Sequence, residues 1–145
     1  RSMTTLSERD VVALTLWGEC RGEAIEGIIA VACVLRNRLH DGRWGGTYER
    51  VCLASNQFSC WRATDVNHPK LQALVAAIQR GEAPVNAALR TCYWIADGLL
   101  NNVIPPRVNR CCHYYATSMK RPPTWALTGT VFETIGEHVF LEDVP

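Results

Sequence analysis

Long apolar runs, a dominant sign of charge and paired cysteine knuckles are all missing from this 145-residue chain, and each absence excludes a class of function. The longest uninterrupted apolar stretch, Gly27 to Leu35, covers about half of the ~20 residues that cross a bilayer, so it reads as a buried helix and no stable membrane association is expected. Fifteen Lys and Arg against fourteen Asp and Glu leave a formal charge of +1. That is too little for a broad cationic field, and no nucleic acid partner is expected. Seven cysteines are many for this length, but the number is odd and no spacing gives two Cys-x-x-Cys knuckles, which argues against a fully paired disulfide framework and against a zinc ribbon. His40, His68, His113 and His138 are dispersed without short ligand pairs, so neither a metal nor a cofactor is expected.

What is present is the composition of one globular domain, 48% hydrophobic and 20% charged, with no repeat, low-complexity tract or linker. Residues 1–145 are expected to form a single α+β domain and to act as a monomer. Arg1-Ser2 before Met3 reads as a cloning scar, with Met3 as the natural start. Thr4 to Asp10 is polar and the first apolar stretch is already helical in pattern, so synthesis in the cytoplasm without a signal peptide is the expectation.

Ser7 reads as an N-cap with Asp10 as a shortened capping-box partner and Leu6 against Val11 as a hydrophobic staple, which starts a helix from about Glu8 to Glu19. Val12, Leu16 and Glu19 fall on one stripe, so Glu19 points toward the interior or a cleft. Gly27 to Leu39 predicts a central helix covered on every side and closed at Asp41-Gly42. Thr47 caps a short helix to about Leu53, and residues 55–61 have neither helical nor strand periodicity. Asn67 with Pro69 opens a helix through Arg80, and Pro84 opens another through about Leu100. His113 to Ala116, Thr130 to Thr134 and His138 to Leu141 predict a small antiparallel sheet in the C-terminal part, with Ile135-Gly136-Glu137 as the turn between the last two strands.

Glu19 is the candidate for chemistry. A carboxyl in the last turn of a helix sits beside the negative end of the helix dipole, and apolar neighbours withhold water; both effects disfavour the anion and raise the pKa. A carboxyl kept protonated near neutral pH is a general acid, which is what cleavage of a glycosidic bond requires. The bland alternative is an exposed glutamate at a helix end. Glu23 and Glu26 follow closely, and either could activate water or steady positive charge on a sugar. Both could equally cap the central helix or pair with Arg21, Arg36 or Arg38; capping is favoured for Glu26, and Glu23 stays open as a second carboxylate. The Gln57-Phe58-Ser59-Cys60-Trp61 segment mixes aromatic, amide and hydroxyl groups suited to a sugar surface, with His113, Tyr114 and Tyr115, and with Trp44 and Trp125, as further contributors. Each aromatic taken alone is also an ordinary core residue.

Several blocks carry a family resemblance. Leu16-Trp17-Gly18-Glu19-Cys20-Arg21-Gly22-Glu23-Ala24-Ile25-Glu26-Gly27, then Ile29-Ala30-Val31-Ala32 and Leu35-Arg36-Asn37-Arg38, resembles the opening motif of the cell wall hydrolases related to the spore cortex-lytic enzymes. Val51-Cys52-Leu53 with residues 57–61, His113-Tyr114-Tyr115-Ala116, and Thr134-Ile135-Gly136-Glu137-His138-Val139-Phe140 match the later blocks in order, so the similarity spans about Leu14 to Phe140. The chain departs from the usual pattern at Cys20, where serine or a small residue is common, at Ala24, where proline is common, and in a long helix inserted before the aromatic strand.

The resemblance implies a lysozyme-like fold of the lytic transglycosylase kind, with a mainly helical body, and peptidoglycan cleavage between N-acetylmuramic acid and N-acetylglucosamine with Glu19 as general acid. Gln57, Phe58, Tyr114 and Tyr115 would then lie near the glycan strand. Because Glu23 and Glu26 have structural roles open to them and no later acidic residue sits in a recognised motif, transglycosylation with one carboxyl is the expectation over hydrolysis with two. A small member without a signal peptide looks like a bacteriophage endolysin, made in the host cytoplasm and acting at the wall; a secreted bacterial enzyme with its leader removed is the competing origin.

Two other classes stand beside this one. A cysteine peptidase acting on peptidoglycan stems would pair a thiol with His113 or His138, but needs that thiol at a helix N-terminus or beside a base. A non-catalytic wall-binding module would use the aromatic groove with Glu19 structural. Cys20, Cys33 and Cys92 read as free packing residues, while Cys52 with Cys60, or Cys111 and Cys112, are candidates for bridging only in an oxidising compartment. The glycosidase reading expects alanine at any single cysteine to leave most clearing of purified peptidoglycan intact; loss in one cysteine variant alone would favour the peptidase.

Overall fold

The computed structural model describes residues 5–145; the reading of Arg1-Ser2 and Met3 lies outside the described residues. Five helices come first: α1 (Glu8–Cys20), α2 (Ile25–Asp41), α3 (Tyr48–Leu53), α4 (His68–Gln79) and α5 (Ala87–Leu100). A three-residue 3₁₀ turn, Ser59–Trp61, separates α3 from α4. The strands β1 (His113–Ala116), β2 (Thr130–Ile135) and β3 (His138–Glu142) form one antiparallel sheet in the order β1-β3-β2.

The first helix begins as its sequence dictates. The Ser7 hydroxyl accepts the Asp10 N–H at 3.1 Å, and the Asp10 carboxylate accepts the Ser7 N–H at 2.8 Å, so two amides that the helix leaves unpaired are satisfied reciprocally. Beyond the cap, α1 is more deeply enclosed than one apolar stripe requires. Every residue from Val11 to Trp17 is buried, including Thr15, whose hydroxyl donates to the Val11 carbonyl at 2.7 Å. The chain therefore has two central helices, because α2 is also buried along most of its length from Gly27 to Leu35.

α2 starts two residues earlier than its apolar pattern, from an Ala24 N-cap that offers no side-chain acceptor. Glu26 sits in that first turn, where its charge complements the helix dipole without making a cap bond. α5 begins later than Pro84. Asn86 has a side-chain acceptor for an unpaired amide, and it takes the Leu89 N–H at 3.0 Å, so the helix starts behind it at Ala87.

The sheet closes the open side of the helical body. In β1 and β3, Tyr114 faces Phe140 across the ladder and His113 faces Leu141. Alternation sends Tyr114, His138 and Phe140 toward the helices, where their rings meet, while His113 and Tyr115 contact Trp125 on the other face. That outer face has its own small cluster of Ala126, Leu141 and Val144, with Tyr115 and Val139 against it. The β2–β3 connection is the anticipated tight turn: Ile135 pairs with His138, and Gly136 adopts φ +55°, a left-handed conformation that glycine takes without strain.

All seven cysteines are buried and free, so the bridges considered for Cys52 with Cys60 and for Cys111 or Cys112 are not formed. Among the described residues no helix is long and apolar enough to cross a membrane.

Phe140 is fully buried where sheet meets helices. Phe140→Ala is expected to cost about 3–5 kcal/mol, by lost burial and the cavity left behind, read as a lower denaturant midpoint. A loss below about 1 kcal/mol would mean that the sheet does not depend on this contact.

Candidate active site

Glu19 is the penultimate residue of α1, half-buried where the helix meets both the sheet and the segment after α3. Gly18 makes that meeting possible. A Cβ at this position would fall 2.5 Å from the Cys60 Cβ and 2.7 Å from its Sγ, so only glycine lets the 59–61 turn press against the helix beside the carboxyl. From the opposite side the Tyr114 hydroxyl donates to Glu19 Oε1 at 2.6 Å.

The Glu19 carboxyl holds its proton above the ordinary glutamate range. Burial is the largest cause, and the Asp65 charge adds to it; hydrogen bonds from Tyr114 and Cys60 act in the opposite sense by favouring the anion. The carboxyl is thus biased toward the acid while two donors stand ready to receive the base.

Glu19 lines two adjoining cavities. One, of 350 Å³, is walled by Arg38, Gln57, Phe58, His113, Tyr114 and Trp125. The other, of 410 Å³, is walled by Arg21, Glu23, Asn67, Glu137 and His138. The carboxyl therefore stands inside a cleft rather than at its end. A larger cavity of 550 Å³ lies beside the start of α1, but its carboxylates already carry partners: Tyr93 donates to Asp10, and Arg9 to Asp97.

Arg38 forms part of the floor. Its guanidinium is buried against the Trp44 and Phe58 rings, 4.4 and 5.1 Å from their centroids. It donates to the Cys112 carbonyl at 2.8 Å and to Gln57 Oε1 at 3.0 Å. The sequence signal for it was available: a cation on the buried side of an otherwise apolar helix requires dedicated acceptors.

The structure sorts the remaining candidates. Gln57 is exposed at the cleft with its carbonyl oxygen held by Arg38. His113 stands between Trp44 and Trp125, with ring centroids 5.5 and 5.4 Å away; burial and the nearby Arg38 charge push it down to about 4, so it is neutral near neutral pH. Phe58 is only 3% exposed, which corrects its reading as a sugar-facing ring: it supports the cleft from below. Trp61 is a second correction. Its indole N–H donates to Thr15 Oγ1 at 2.9 Å and it lines a different cavity, beside Leu6, Val11 and Leu53. Ser59 is exposed but lines neither Glu19 cavity, and Tyr115 packs on Trp125 at the outer face of the sheet.

Glu23 is at the cleft, but none of the arginines considered as its partners is bonded to it. Its Oε1 accepts the Glu137 N–H at 2.7 Å and lies 3.3 Å from His138 Nδ1. Arg21 stacks on Trp17, and Arg36 donates to the Ile104 carbonyl. The peptidase reading lacks a nucleophile: the seven thiols are buried, and burial pushes them up, Cys52 and Cys92 to about 12.

A model of the cell wall hydrolase family matches residues 22–141. The chain belongs to that family. The catalytic domain of the germination-specific lytic transglycosylase SleB from Bacillus anthracis has the same fold, with a TM-score of 0.65 at 20% identity over 96% of this chain and 97% of that one. The catalytic domain of the Bacillus cereus SleB protein gives 0.61 at 22% identity over 96% and 94%. The fold is thus lysozyme-like: mostly helical with a small antiparallel sheet. A comparison with curated proteins gave no match. In this cell wall hydrolase the family match begins at Gly22, three residues after Glu19, while the SleB folds extend over nearly the whole chain.

Because the folded hydrolase binds the Glu19 proton more tightly than the unfolded chain does, ionising Glu19 costs stability. That contribution is fully present below the ordinary glutamate pKa and is lost as pH rises through the raised one. Glu19→Gln never ionises, so its thermal midpoint is expected to exceed the parent's at neutral pH and to converge with it in acid. A difference independent of pH would show that burial does not set the proton affinity of this carboxyl.

Proposed function

We propose that this cell wall hydrolase cleaves the glycan strand of peptidoglycan between N-acetylmuramic acid and N-acetylglucosamine, with Glu19 as general acid and then as general base. The observation that carries the reading is a single carboxyl, raised by burial and held by Tyr114, standing between two cavities of one cleft. A glycan laid through that cleft would present its scissile bond to Glu19 with sugars on either side. Trp125, beside the neutral His113, offers an apolar face, and Gln57 and Asn67 offer amides.

The cycle needs one carboxyl. Glu19 gives its proton to the glycosidic oxygen as the bond to the muramic C1 breaks, and positive charge develops on that sugar. Glu19, now the anion, accepts hydrogen bonds from Tyr114 and Cys60, the donors that lower its proton affinity. It then takes the proton of the muramic 6-hydroxyl as that oxygen bonds to C1, which closes an anhydro ring and restores the acid. Inverting hydrolysis would instead need a second carboxylate poised on water. Glu23 is the nearby candidate, and its Oε1 is already engaged by the hairpin. That commitment is what favours transglycosylation.

The use of the reaction in bacterial host lysis, with action at the wall, rests on the resemblance of the sequence blocks. Cells expressing the chain should clear once their inner membrane is permeabilised, and cells expressing Glu19→Gln should not.

The direct test uses purified peptidoglycan. Glu19→Gln, folded by circular dichroism, is expected to lose about a hundredfold to ten-thousandfold of the activity, the range a general acid contributes. Mass spectrometry of the fragments is expected to show anhydromuramoyl ends, one water lighter than reducing ends. Reducing ends alone would replace transglycosylation with hydrolysis, and undiminished clearing by Glu19→Gln would leave Glu19 structural.

A further inference from the structure

Glu23 brings to the cleft a carboxylate that the two-step cycle does not use, and it is held firmly. One atom, Oε1, accepts the Glu137 N–H at 2.7 Å and lies 3.3 Å from Nδ1 of His138. The two side chains are 10% and 9% exposed. Among the described residues His138 Nδ1 is buried without a hydrogen-bond partner, and the Glu23 carboxylate is the charged group beside it. The turn is moulded on the same group: a Cβ at Gly136 would come 2.9 Å from each carboxylate oxygen. On its other side the His138 ring meets Tyr114 edge to face, with centroids 4.8 Å apart, and Tyr114 donates to Glu19. Glu23, His138, Tyr114 and Glu19 thus form an unbroken series of contacts.

We propose that Glu23 is a positioning residue for Glu19: through the Glu137 amide and His138 it pins the β2–β3 hairpin, and the hairpin holds the Tyr114 hydroxyl on the Glu19 carboxyl. The proposal rests on the glycosidase reading for its effect on rate, but not for its effect on Glu19 itself. Its chemical content is that the position needs an acceptor oxygen rather than a negative charge, because the hydrogen bond Glu23 accepts comes from a neutral backbone amide and burial biases the adjacent His138 ring toward its neutral form. Glutamine supplies that oxygen; alanine does not. A water-activating base, by contrast, needs the charge and fails with either.

The groups that act on Glu19 come from several elements: Tyr114 from β1, Cys60 and Asp65 from the segment after α3, Cys20 from its own helix, and Arg38 from α2. Those around Glu23 are His138, Glu137 and Cys20. Of these, Tyr114 is the group that the hairpin carries to Glu19, and its hydrogen bond favours the Glu19 anion. Releasing it moves the Glu19 titration upward.

The test follows the Glu19 carboxyl by NMR titration of the full chain with isotope-labelled glutamate, its signal assigned by its loss in Glu19→Gln. Glu23→Ala and Tyr114→Phe are each expected to move the titration upward, and the double variant no further than Tyr114→Phe alone. Glu23→Gln should stay with the parent. On glycan strands, Glu23→Ala should lower kcat about tenfold with KM within about twofold, short of the ~10²-fold or greater loss that removal of a general base brings, and Glu23→Gln should restore most of it. Should Glu23→Ala fold poorly, Glu23→Asp keeps the charge, withdraws the oxygen from the Glu137 amide and carries the same readouts. An unmoved Glu19 titration in Glu23→Ala overturns the proposal, as does a Glu23→Gln as inactive as Glu23→Ala. The titration needs no substrate, so a parent chain inert on glycan would sink the glycosidase reading and leave the coupling of Glu23 to Glu19 separately decided.

Discussion

The 2.6 Å hydrogen bond between Tyr114 and Glu19 joins the end of the first helix to the first strand across 95 residues of sequence, and much of the architecture serves to place its two ends. On the Glu19 side, α1 is enclosed from Val11 to Trp17, so its last turn cannot drift. Gly18 admits Cys60 against the same turn, at a separation no other side chain would permit. On the Tyr114 side, Phe140 and His138 fix the ring from the neighbouring strand. The proton affinity of this carboxyl is set by opposing influences, of which burial is the larger. Burial supplies one, and donors that favour the anion supply the other.

Arg38 shows how a fold manages charge beside such a group. Its guanidinium is satisfied by a backbone carbonyl, an amide oxygen and two aromatic faces, and among the described residues no hydrogen bond joins it to a carboxylate. Burial lowers its proton affinity, while Tyr114 and Glu19 are among the groups that raise it. Had Arg38 bonded Glu19 directly, the pair would have favoured the ionised carboxylate. Its placement on the floor instead holds the Gln57 side chain and packs on the Phe58 ring.

What the sequence disclosed was local. Ser7 and Asp10 announced the start of α1 because both halves of the capping box lie within four residues. Ile135-Gly136-Glu137 announced the hairpin because two-residue turns demand a particular backbone. Glu19 was legible from its place on an apolar stripe at a helix end. What stayed hidden depends on partners far away in the chain. Trp61 looked like a sugar platform until its indole was found on Thr15, 46 residues earlier, and Glu23 had its true partner at Glu137, 114 residues on. Phe58 sits in a segment without periodicity, so nothing in its spacing told a floor from a surface. α1 read as one apolar stripe through Val12, Leu16 and Glu19, although it is enclosed from Val11 to Trp17, where the Thr15 hydroxyl is satisfied by its own helix and by Trp61.

The seven cysteines that first raised the prospect of a cross-linked framework are buried free thiols, and the helices and sheet are held together without a disulfide. Reduction therefore has no covalent tie to undo, and an oxidant meets sulfurs shielded from solvent and held protonated. A molecule built this way needs no oxidising step to complete its fold.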